Sequence, residues 1–203
     1  MASIYDLKPA FQNLLRPQVR LLAAAGVTPN QVTVIALLLS VLAGGLIAVF
    51  PHSPWPLLLV PLVLLKRMAL NAIDGMLARE HDMRSALGGF LNELGDVLSD
   101  AALYLPFALL AGVAALPVVL VVLLAVVGEM TGVIALALGA SRRYDGPMGK
   151  SDRAFVFGVL GLMLGCSVAP APWFDWVMAA VALLGALTIF NRVRNGLREL
   201  AAQ

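Results

Sequence analysis

The stretch QVTVIALLLSVLAGGLIAVF, residues 31–50, runs for twenty residues without a charged side chain. A helix of that length rises about 30 Å, which is the thickness of the hydrocarbon core of a bilayer. This stretch therefore predicts a membrane-spanning helix, and the rest of the chain can be compared with it.

Apolar segments of similar length follow along the rest of the chain. The five further candidates are residues 55–78, 87–111, 117–139, 154–169 and 173–191. The fifth of the six spans is short, so we expect it to be tilted, extended or broken. Hydrophobic residues make up 61% of the chain and charged residues 13%, whereas soluble domains are about 45–50% apolar and 25% charged. This excludes an ordinary soluble fold. The predicted class is all-α: a polytopic membrane protein with six transmembrane helices in one domain, residues 1–203.

The region before the first span has a different pattern. Apolar residues recur at helical spacing within residues 1–17, which predicts a juxtamembrane amphipathic helix that lies on the membrane surface and ends before Pro17. These residues are Ile4, Leu7, Phe11, Leu14 and Leu15. Asn30 follows Thr28 and Pro29, and we expect it to cap the first span.

The positive charges predict the orientation. Of the 14 lysines and arginines, three precede the first span, two lie between the second and third, four between the fourth and fifth, and three follow the sixth. The remaining two lie inside the second span. Because cationic loops stay in the cytoplasm, both termini are predicted to be cytoplasmic, in an inner (cytoplasmic) membrane.

Ionisable side chains inside the spans are the next feature, since they are costly in a bilayer and usually mark function or a buried pair. Asn71 and Asp74 share one helix face, as do Asn92 and Asp96. At about 1.5 Å per residue, Asp74 and Asn92 lie about 7–8 Å deep, and Asn71 and Asp96 about 12–14 Å deep. These matching levels predict an oxygen-rich site near the cytoplasmic surface, of the kind that Mg²⁺ takes.

Deeper charges have a structural interpretation. Lys66 and Arg67 of the second span lie at a depth similar to that of Asp100 in the third and Glu129 in the fourth. We expect these four groups to neutralise one another, because an unpaired buried charge is strongly destabilising.

The polar residues also form a motif. It reads Asn71-Ala72-Ile73-Asp74-Gly75-Met76-Leu77-Ala78-Arg79, then eight residues, then Gly88-Gly89-Phe90-Leu91-Asn92-Glu93-Leu94-Gly95-Asp96. This resembles the signature of the CDP-alcohol phosphotransferases, D-x-x-D-G-x-x-A-R, about eight residues, then G-x-x-x-D-x-x-x-D. The segment Thr28-Pro29-Asn30-Gln31-Val32-Thr33 also resembles the start of the first span in that family. With the six spans, the resemblance covers nearly the whole chain.

The resemblance implies a function and its residues. It implies transfer of a phosphatidyl-type group from a CDP-linked lipid, such as CDP-diacylglycerol, to an acceptor alcohol, with release of CMP, in phospholipid biosynthesis. It implies one or two Mg²⁺ or Mn²⁺ ions, contact with membrane lipids and a homodimer, with the active site facing the cytoplasm. The catalytic base would be Asp96, and the metal ligands would be Asn71, Asp74, Asn92 and Asp96. The CDP-lipid contacts would be Asn30, Thr33, Asp74, Gly75, Ala78, Arg79, Ser85 and Gly88.

The sequence departs from this motif at two positions. Asn71 and Asn92 occupy the places of the first and third aspartates, so the site has lost two negative charges. Three interpretations follow: an active enzyme with altered metal binding, in which Glu93 could lend a carboxylate; an active enzyme for an unusual substrate; or a degenerate protein that binds a CDP-lipid without turnover. Asp74 and Asp96 persist, which favours activity.

The loop of residues 141–153 has two interpretations. Its cations could hold anionic lipid heads, as in other cytoplasmic loops. Alternatively they could bind a phosphate of the lipid or of a phosphorylated acceptor, since converging cations and turn-forming glycines suit an anion. These residues are Arg142, Arg143, Lys150 and Arg153.

Other function classes fit less well. A transporter could also hold intramembrane charges, but the chain shows no internal repeat of the kind common in transporters. We expect no nucleic-acid partner. The leading hypothesis is therefore a membrane transferase.

Overall fold

A computed structural model describes residues 4–203, with side chains described from residue 10 onward. Within these residues the chain forms seven α-helices and no strand, which confirms the predicted all-α class. A short 3₁₀ segment, Leu105–Leu109, follows the fourth helix. The helices are α1 (Ile4–Ala24), α2 (Pro29–Val49), α3 (Trp55–Glu80), α4 (Ala86–Tyr104), α5 (Ala115–Ala137), α6 (Lys150–Gly165) and α7 (Pro172–Ala201).

Four of these helices, α2, α3, α5 and α7, are long and apolar enough to cross a membrane. The six predicted spans are therefore found only in part. The fourth helix stops at Tyr104, because Pro106 lacks the N–H that would continue it, and it carries three carboxylates along its length. The sixth has only 16 residues and begins at Lys150, earlier than expected.

The N-terminal helix is longer than predicted. It continues through Pro17 to Ala24, so the prediction that it ends before Pro17 is wrong. Proline removes one helical hydrogen bond, but tertiary packing supports the helix beyond it, since Val19 is fully buried against α2 and α3. The side chains of Ile4 and Leu7 lie outside the described residues. Leu14 is exposed, as expected if the apolar face of this amphipathic helix contacts the membrane rather than the rest of the protein.

The start of α2 has a different cap from the one predicted. The Thr28 hydroxyl accepts a hydrogen bond from the Gln31 N–H, while the Gln31 side chain accepts one from the Thr28 N–H. This reciprocal pair is a capping box, so Thr28 is the cap and Asn30 already lies inside the helix. The Asn30 side chain is thereby left for other contacts.

The core forms where α2 packs on α3 and α4, α3 packs on α6, and α5 packs on α7. The approach of α2 to α4 is unusually close at Gly44. A Cβ atom at this position would lie 1.9 Å from the backbone oxygen of Ala102, which no real contact allows. The adjacent Gly45 has nothing within 4 Å of its Cβ position.

A network of buried ion pairs crosses the bundle. Arg67 of α3 lies 2.9 Å from Asp100 of α4, and Arg153 of α6 lies 3.1 Å from both Asp100 and Glu129 of α5. Arg192 of α7 lies 3.5 Å from Glu129. Five helices are thus joined through five charged side chains.

This network corrects part of the expected charge pairing. The pairing of Arg67 with Asp100 is confirmed. Lys66 is exposed, however, and the partners of Glu129 are Arg142, Arg153 and Arg192. Neighbouring residues on a helix point about 100° apart, so Lys66 and Arg67 cannot both face the interior.

We expect Arg67→Met to destabilise the protein by about 3 kcal/mol, because it leaves a buried carboxylate with one partner fewer. Lys66→Met is the matched control, since it removes an exposed cation from the adjacent position and should change stability by about 0.5 kcal/mol or less. Thermal unfolding of the detergent-solubilised variants measures both. Equal midpoints for the two variants would contradict a stabilising role for the Arg67 pair.

The adjacent glycines of α2 provide a second test. Gly44→Ala should destabilise by at least the roughly 1–3 kcal/mol typical of overpacking, because the atom that it meets is backbone and cannot move aside. Gly45→Ala should be neutral or stabilising by up to about 1 kcal/mol, since alanine favours a helix. Thermal midpoints of the two variants in the same detergent give the comparison. A Gly44→Ala protein as stable as the wild type would show that α2 and α4 are not in close contact.

Candidate active site

The two halves of the motif face each other on α3 and α4. The Asn71 side-chain Nδ2 donates a hydrogen bond to Asp96 Oδ1 at 3.2 Å. This contact confirms that these two residues lie at the same level, as the depth estimate predicted. The carboxylate of Asp96 remains partly exposed.

Asp96 also receives a contact from α6. The Lys150 Nζ donates to the same Asp96 Oδ1, from the first residue of α6. One turn deeper the pattern repeats, since Arg67 and Arg153 both contact Asp100. The site and the buried network therefore form two layers on the same three helices, and the deeper layer fixes the register of the upper one.

The second aspartate of the site is connected to α2. Asp74 is only 5% exposed, and its Oδ2 lies 2.7 Å from the Thr33 hydroxyl. The same hydroxyl lies 3.1 Å from the carbonyl oxygen of Pro29. Because a hydroxyl has one hydrogen, the shorter contact makes Asp74 its main acceptor. This brings Thr33 beside the motif, and its contact with a nucleotide stays a prediction.

Two glycines leave room for polar side chains around the site. The Arg79 guanidinium lies over Gly75, with Nη2 only 2.8 Å from where a Cβ would stand. At Gly88 a Cβ would lie 2.8 Å from the Asn30 Oδ1. Both glycines therefore permit a close approach by a predicted nucleotide-contact residue.

Three further predicted residues have structural positions of their own. Ser85 caps α4, because its hydroxyl accepts a hydrogen bond from the Gly88 N–H at 3.0 Å. Ala78 is half-buried on α3, and Asn92 is exposed on α4. The structure places Ala78 and Asn92 on the two helices that carry the motif.

Glu93 is engaged by another residue. Arg142 binds both of its oxygens, with hydrogen bonds of 2.8 Å and 2.6 Å, and a Cβ on Gly132 would occupy the place of that guanidinium. The hypothesis that Glu93 replaces a missing aspartate therefore has no support from this geometry. A bidentate pair of this kind engages both oxygens of the carboxylate.

The cations of the loop between α5 and α6 are mostly paired. Arg142 also approaches Glu129, and Arg153 lies within the buried network. Arg143 binds Asp145 and Glu199, and its guanidinium holds the pKa of the Asp145 carboxyl below the ordinary value. These three arginines are engaged by carboxylates, so the phosphate pocket stays a prediction.

Sequence reasoning missed the role of Arg192. In the sequence it is only a cation after the last span, yet the residue is 1% exposed and its guanidinium donates to backbone oxygens of Gly128 and Asp145. Thr188, Arg192 and Gly196 are all buried at successive i+4 steps of α7. That spacing was a usable signal of an inward-facing row.

The predicted metal ligands are two carboxylates and two amides. Asp74 and Asp96 are the carboxylates at the four aspartate positions of the motif, and Asn71 and Asn92 add neutral amide oxygens. Within the described part of the chain, no group of three or more Asp, Glu, His and Cys residues is placed to hold a metal. Mg²⁺ and Mn²⁺ take oxygen ligands and readily complete their shell with phosphates and water.

Comparison with known proteins identifies a matching family. The sequence pattern of the CDP-alcohol phosphatidyltransferase family matches residues 26–192. The inner membrane protein YnbA of Escherichia coli strain K12 is 43% identical over 193 residues, covering 95% of this chain and 96% of its own. Archaetidylinositol phosphate synthase of Pyrococcus horikoshii is 34% identical over 103 residues, covering 51% of this chain and 52% of its own.

Solved structures share the fold. The crystal structure of Mycobacterium tuberculosis phosphatidylinositol phosphate synthase (PgsA1) with CDP-DAG bound aligns with a TM-score of 0.72, at 22% identity. The alignment covers 89% of this chain and 92% of that one. The same enzyme has also been crystallised with manganese and citrate. Together with the facing motif residues on α3 and α4, these matches show that this membrane protein belongs to the CDP-alcohol phosphatidyltransferase family of enzymes.

Proposed function

We propose that this protein transfers a phosphatidyl group from a CDP-linked lipid, of which CDP-diacylglycerol is the first candidate, to the hydroxyl of an acceptor alcohol. The observation that carries the proposal is the contact of Asn71 with Asp96, which brings both halves of the motif to one site. The CDP-DAG bound to the Mycobacterium tuberculosis enzyme supports the choice of donor.

The donor would lie over the glycines of the site. Arg79 over Gly75 offers a planar pair of donors for the diphosphate oxygens, and Asn30 beside Gly88 offers an amide to the nucleotide. Thr33, Ala78 and Ser85 complete the surface that we assign to the CDP group. Because Gly75 and Gly88 lack side chains, the ligand can approach the helix backbones closely.

Asp96 is the proposed base. It takes the proton of the acceptor hydroxyl, whose oxygen forms a bond to the lipid-linked phosphorus while the bond from that phosphorus to the bridging oxygen of CMP breaks. CMP leaves with the electron pair of that bond. A divalent cation held by Asp74 and Asp96, with Asn71 and Asn92 nearby, would neutralise the diphosphate and stabilise the leaving group. Manganese in the related structure supports Mg²⁺ or Mn²⁺ as the ion.

The proposed topology has six crossings, by α2 to α7. The cations at the ends of α1, α3 and α7 and before α6 would then lie on one side, which places both termini and the active site at the cytoplasmic face. Relatives named as inner membrane proteins support the inner membrane as the location. We also propose a homodimer, as the family resemblance implied.

A second candidate is a protein that binds a CDP-lipid without turning it over. Only the replacement of two motif aspartates by Asn71 and Asn92 favours it. The retention of Asp74 and Asp96, both held in defined hydrogen bonds, favours catalysis. The two candidates make opposite predictions for CMP release.

Purified protein in lipid should release CMP from CDP-diacylglycerol with Mg²⁺ or Mn²⁺ when the right acceptor is present. The panel of acceptors should include glycerol phosphate, inositol phosphate and their unphosphorylated alcohols. Both kinds are needed because the loop arginines are paired with carboxylates and do not indicate whether the acceptor carries a phosphate. Asp96→Asn should lower this rate by roughly 10²–10⁴-fold, the usual range for a lost general base.

The matched control is Asp175→Asn, which makes the same chemical change in the first turn of α7. Glu199, which binds the loop residue Arg143, lies at the opposite end of that helix. Asp175→Asn should leave the rate unchanged. Saturable binding of CDP-diacylglycerol with no CMP for any acceptor would favour the second candidate instead.

Gly75→Ala should weaken binding of the CDP-lipid while leaving stability nearly unchanged. The added methyl group displaces the flexible end of Arg79, which moves easily but loses its place over the diphosphate. Loss of a charged hydrogen bond of this type predicts a KM higher by roughly tenfold or more. Gly89→Ala is the control, since a Cβ there meets nothing within 4 Å. Equal KM values for the two variants would show that Arg79 does not bind the donor.

A further inference from the structure

The charge of the site does not match two divalent cations. Two such ions carry four positive charges, against two negative charges from Asp74 and Asp96. Asn71 and Asn92 contribute none, and Glu93 is bound at both oxygens by Arg142. A cation site normally balances its charge with carboxylates or with ligand phosphates. One cation is therefore balanced by the protein, and a second would depend on the substrate alone.

A protein cation already lies beside one of the two carboxylates of the site. Lys150 Nζ contacts Asp96 Oδ1, and the same oxygen accepts the amide hydrogen of Asn71. An amide that donates through its nitrogen presents no oxygen to an ion on that side. The surroundings of this carboxylate oxygen are thus hydrogen-bond donors from α3 and α6.

The position of Lys150 is fixed by the layer beneath it. Arg153 lies one turn further along α6 and is held by Asp100 and Glu129, with an exposure of only 4%. Asp100 lies one turn beyond Asp96 on α4. Because the contact of Arg153 with Asp100 fixes how α6 lies against α4, Lys150 lies beside Asp96. The contact of Lys150 with Asp96 therefore follows from helix register.

We propose that this site takes one divalent cation, held by Asp74 and Asp96, and that the ammonium group of Lys150, which contacts Asp96 Oδ1, supplies the second positive charge. The inference rests on the proposed function and specifies the ligand chemistry of the same site. Lysine is a compact point charge that suits a phosphate oxygen. The side chain is about one-third exposed, so it can contact a diphosphate at the open face of the site.

The direct test counts bound ions without requiring turnover. Purified protein in nanodiscs is dialysed against Mn²⁺, with and without saturating CDP, and bound Mn²⁺ is counted by electron paramagnetic resonance against a protein-free chamber. The wild type should bind one Mn²⁺ per chain under both conditions. Two Mn²⁺ per chain in the wild type, with or without CDP, would overturn the proposal.

Restoring the carboxylates provides the matched comparison. Asn71→Asp combined with Asn92→Asp should raise the count to two Mn²⁺ per chain. Asn92→Asp alone is a second variant for the case that the double variant fails to fold, because Asn92 is exposed. It should tighten Mn²⁺ binding. A count or affinity unchanged by the added carboxylates would show that the asparagines do not set the number of ions.

The role of Lys150 is tested by rescue. Lys150→Met should keep one bound Mn²⁺ and lower CMP release by roughly 10²–10³-fold, the usual loss when a charge-stabilising donor is removed. In the double aspartate background the same change should cost much less, because a second ion replaces the ammonium. Lys150→Arg should retain more activity than Lys150→Met, and Lys66→Met should have no effect.

If Lys150→Met lowers CMP release equally in the wild type and in the double aspartate variant, Lys150 does not take the place of a second ion. The ion count is independent of these rates. Absence of CMP release with one bound Mn²⁺ would therefore contradict the proposed function and leave the single-ion site standing. Release of CMP with two bound Mn²⁺ would support the proposed function and contradict the single-ion site.

Discussion

Charged side chains within a bilayer must find partners inside the protein, and the pairing of Arg67, Asp100, Arg153, Glu129 and Arg192 meets this requirement. Buried ion pairs of this kind add little net stability compared with apolar packing, but each constrains where its helices can lie. Here the pairs involve α3, α4, α5, α6 and α7. The arrangement of the helices around the site depends on that constraint.

The active-site geometry follows from the same network. Asn71 lies one turn beyond Arg67 on α3, Asp96 one turn before Asp100 on α4, and Lys150 one turn before Arg153 on α6. The buried layer of Arg67, Asp100 and Arg153 therefore holds the upper residues in position, and the upper layer does not need to stabilise itself. This separation leaves Asp96 partly exposed for chemistry while its surroundings stay fixed.

Close approaches at glycine explain how the polar residues reach their positions. Gly44 lets α2 meet the backbone of α4, and a Cβ on Gly95 of α4 would lie 3.4 Å from the Thr33 methyl group. Gly132 leaves space for the Arg142 guanidinium, so that it can bind Glu93 across the bundle. Glycine costs some helix stability, and here that cost is offset by contacts which a side chain would prevent.

The amino-acid sequence by itself determined the helical class, four of the apolar spans and the facing of Asn71 and Asp96, because helix length and period are local properties of the chain. It did not determine that α1 passes through Pro17, that Thr28 rather than Asn30 caps α2, or that α4 ends at Tyr104. Whether a proline ends a helix depends on how strongly tertiary packing supports that helix, and residue spacing does not show this. The partners of Lys150, Arg142 and Arg192 were decided only by the tertiary structure. Each pairs with a carboxylate or carbonyl group on a distant part of the chain, and which group it meets depends on the packing of helices that no local pattern specifies.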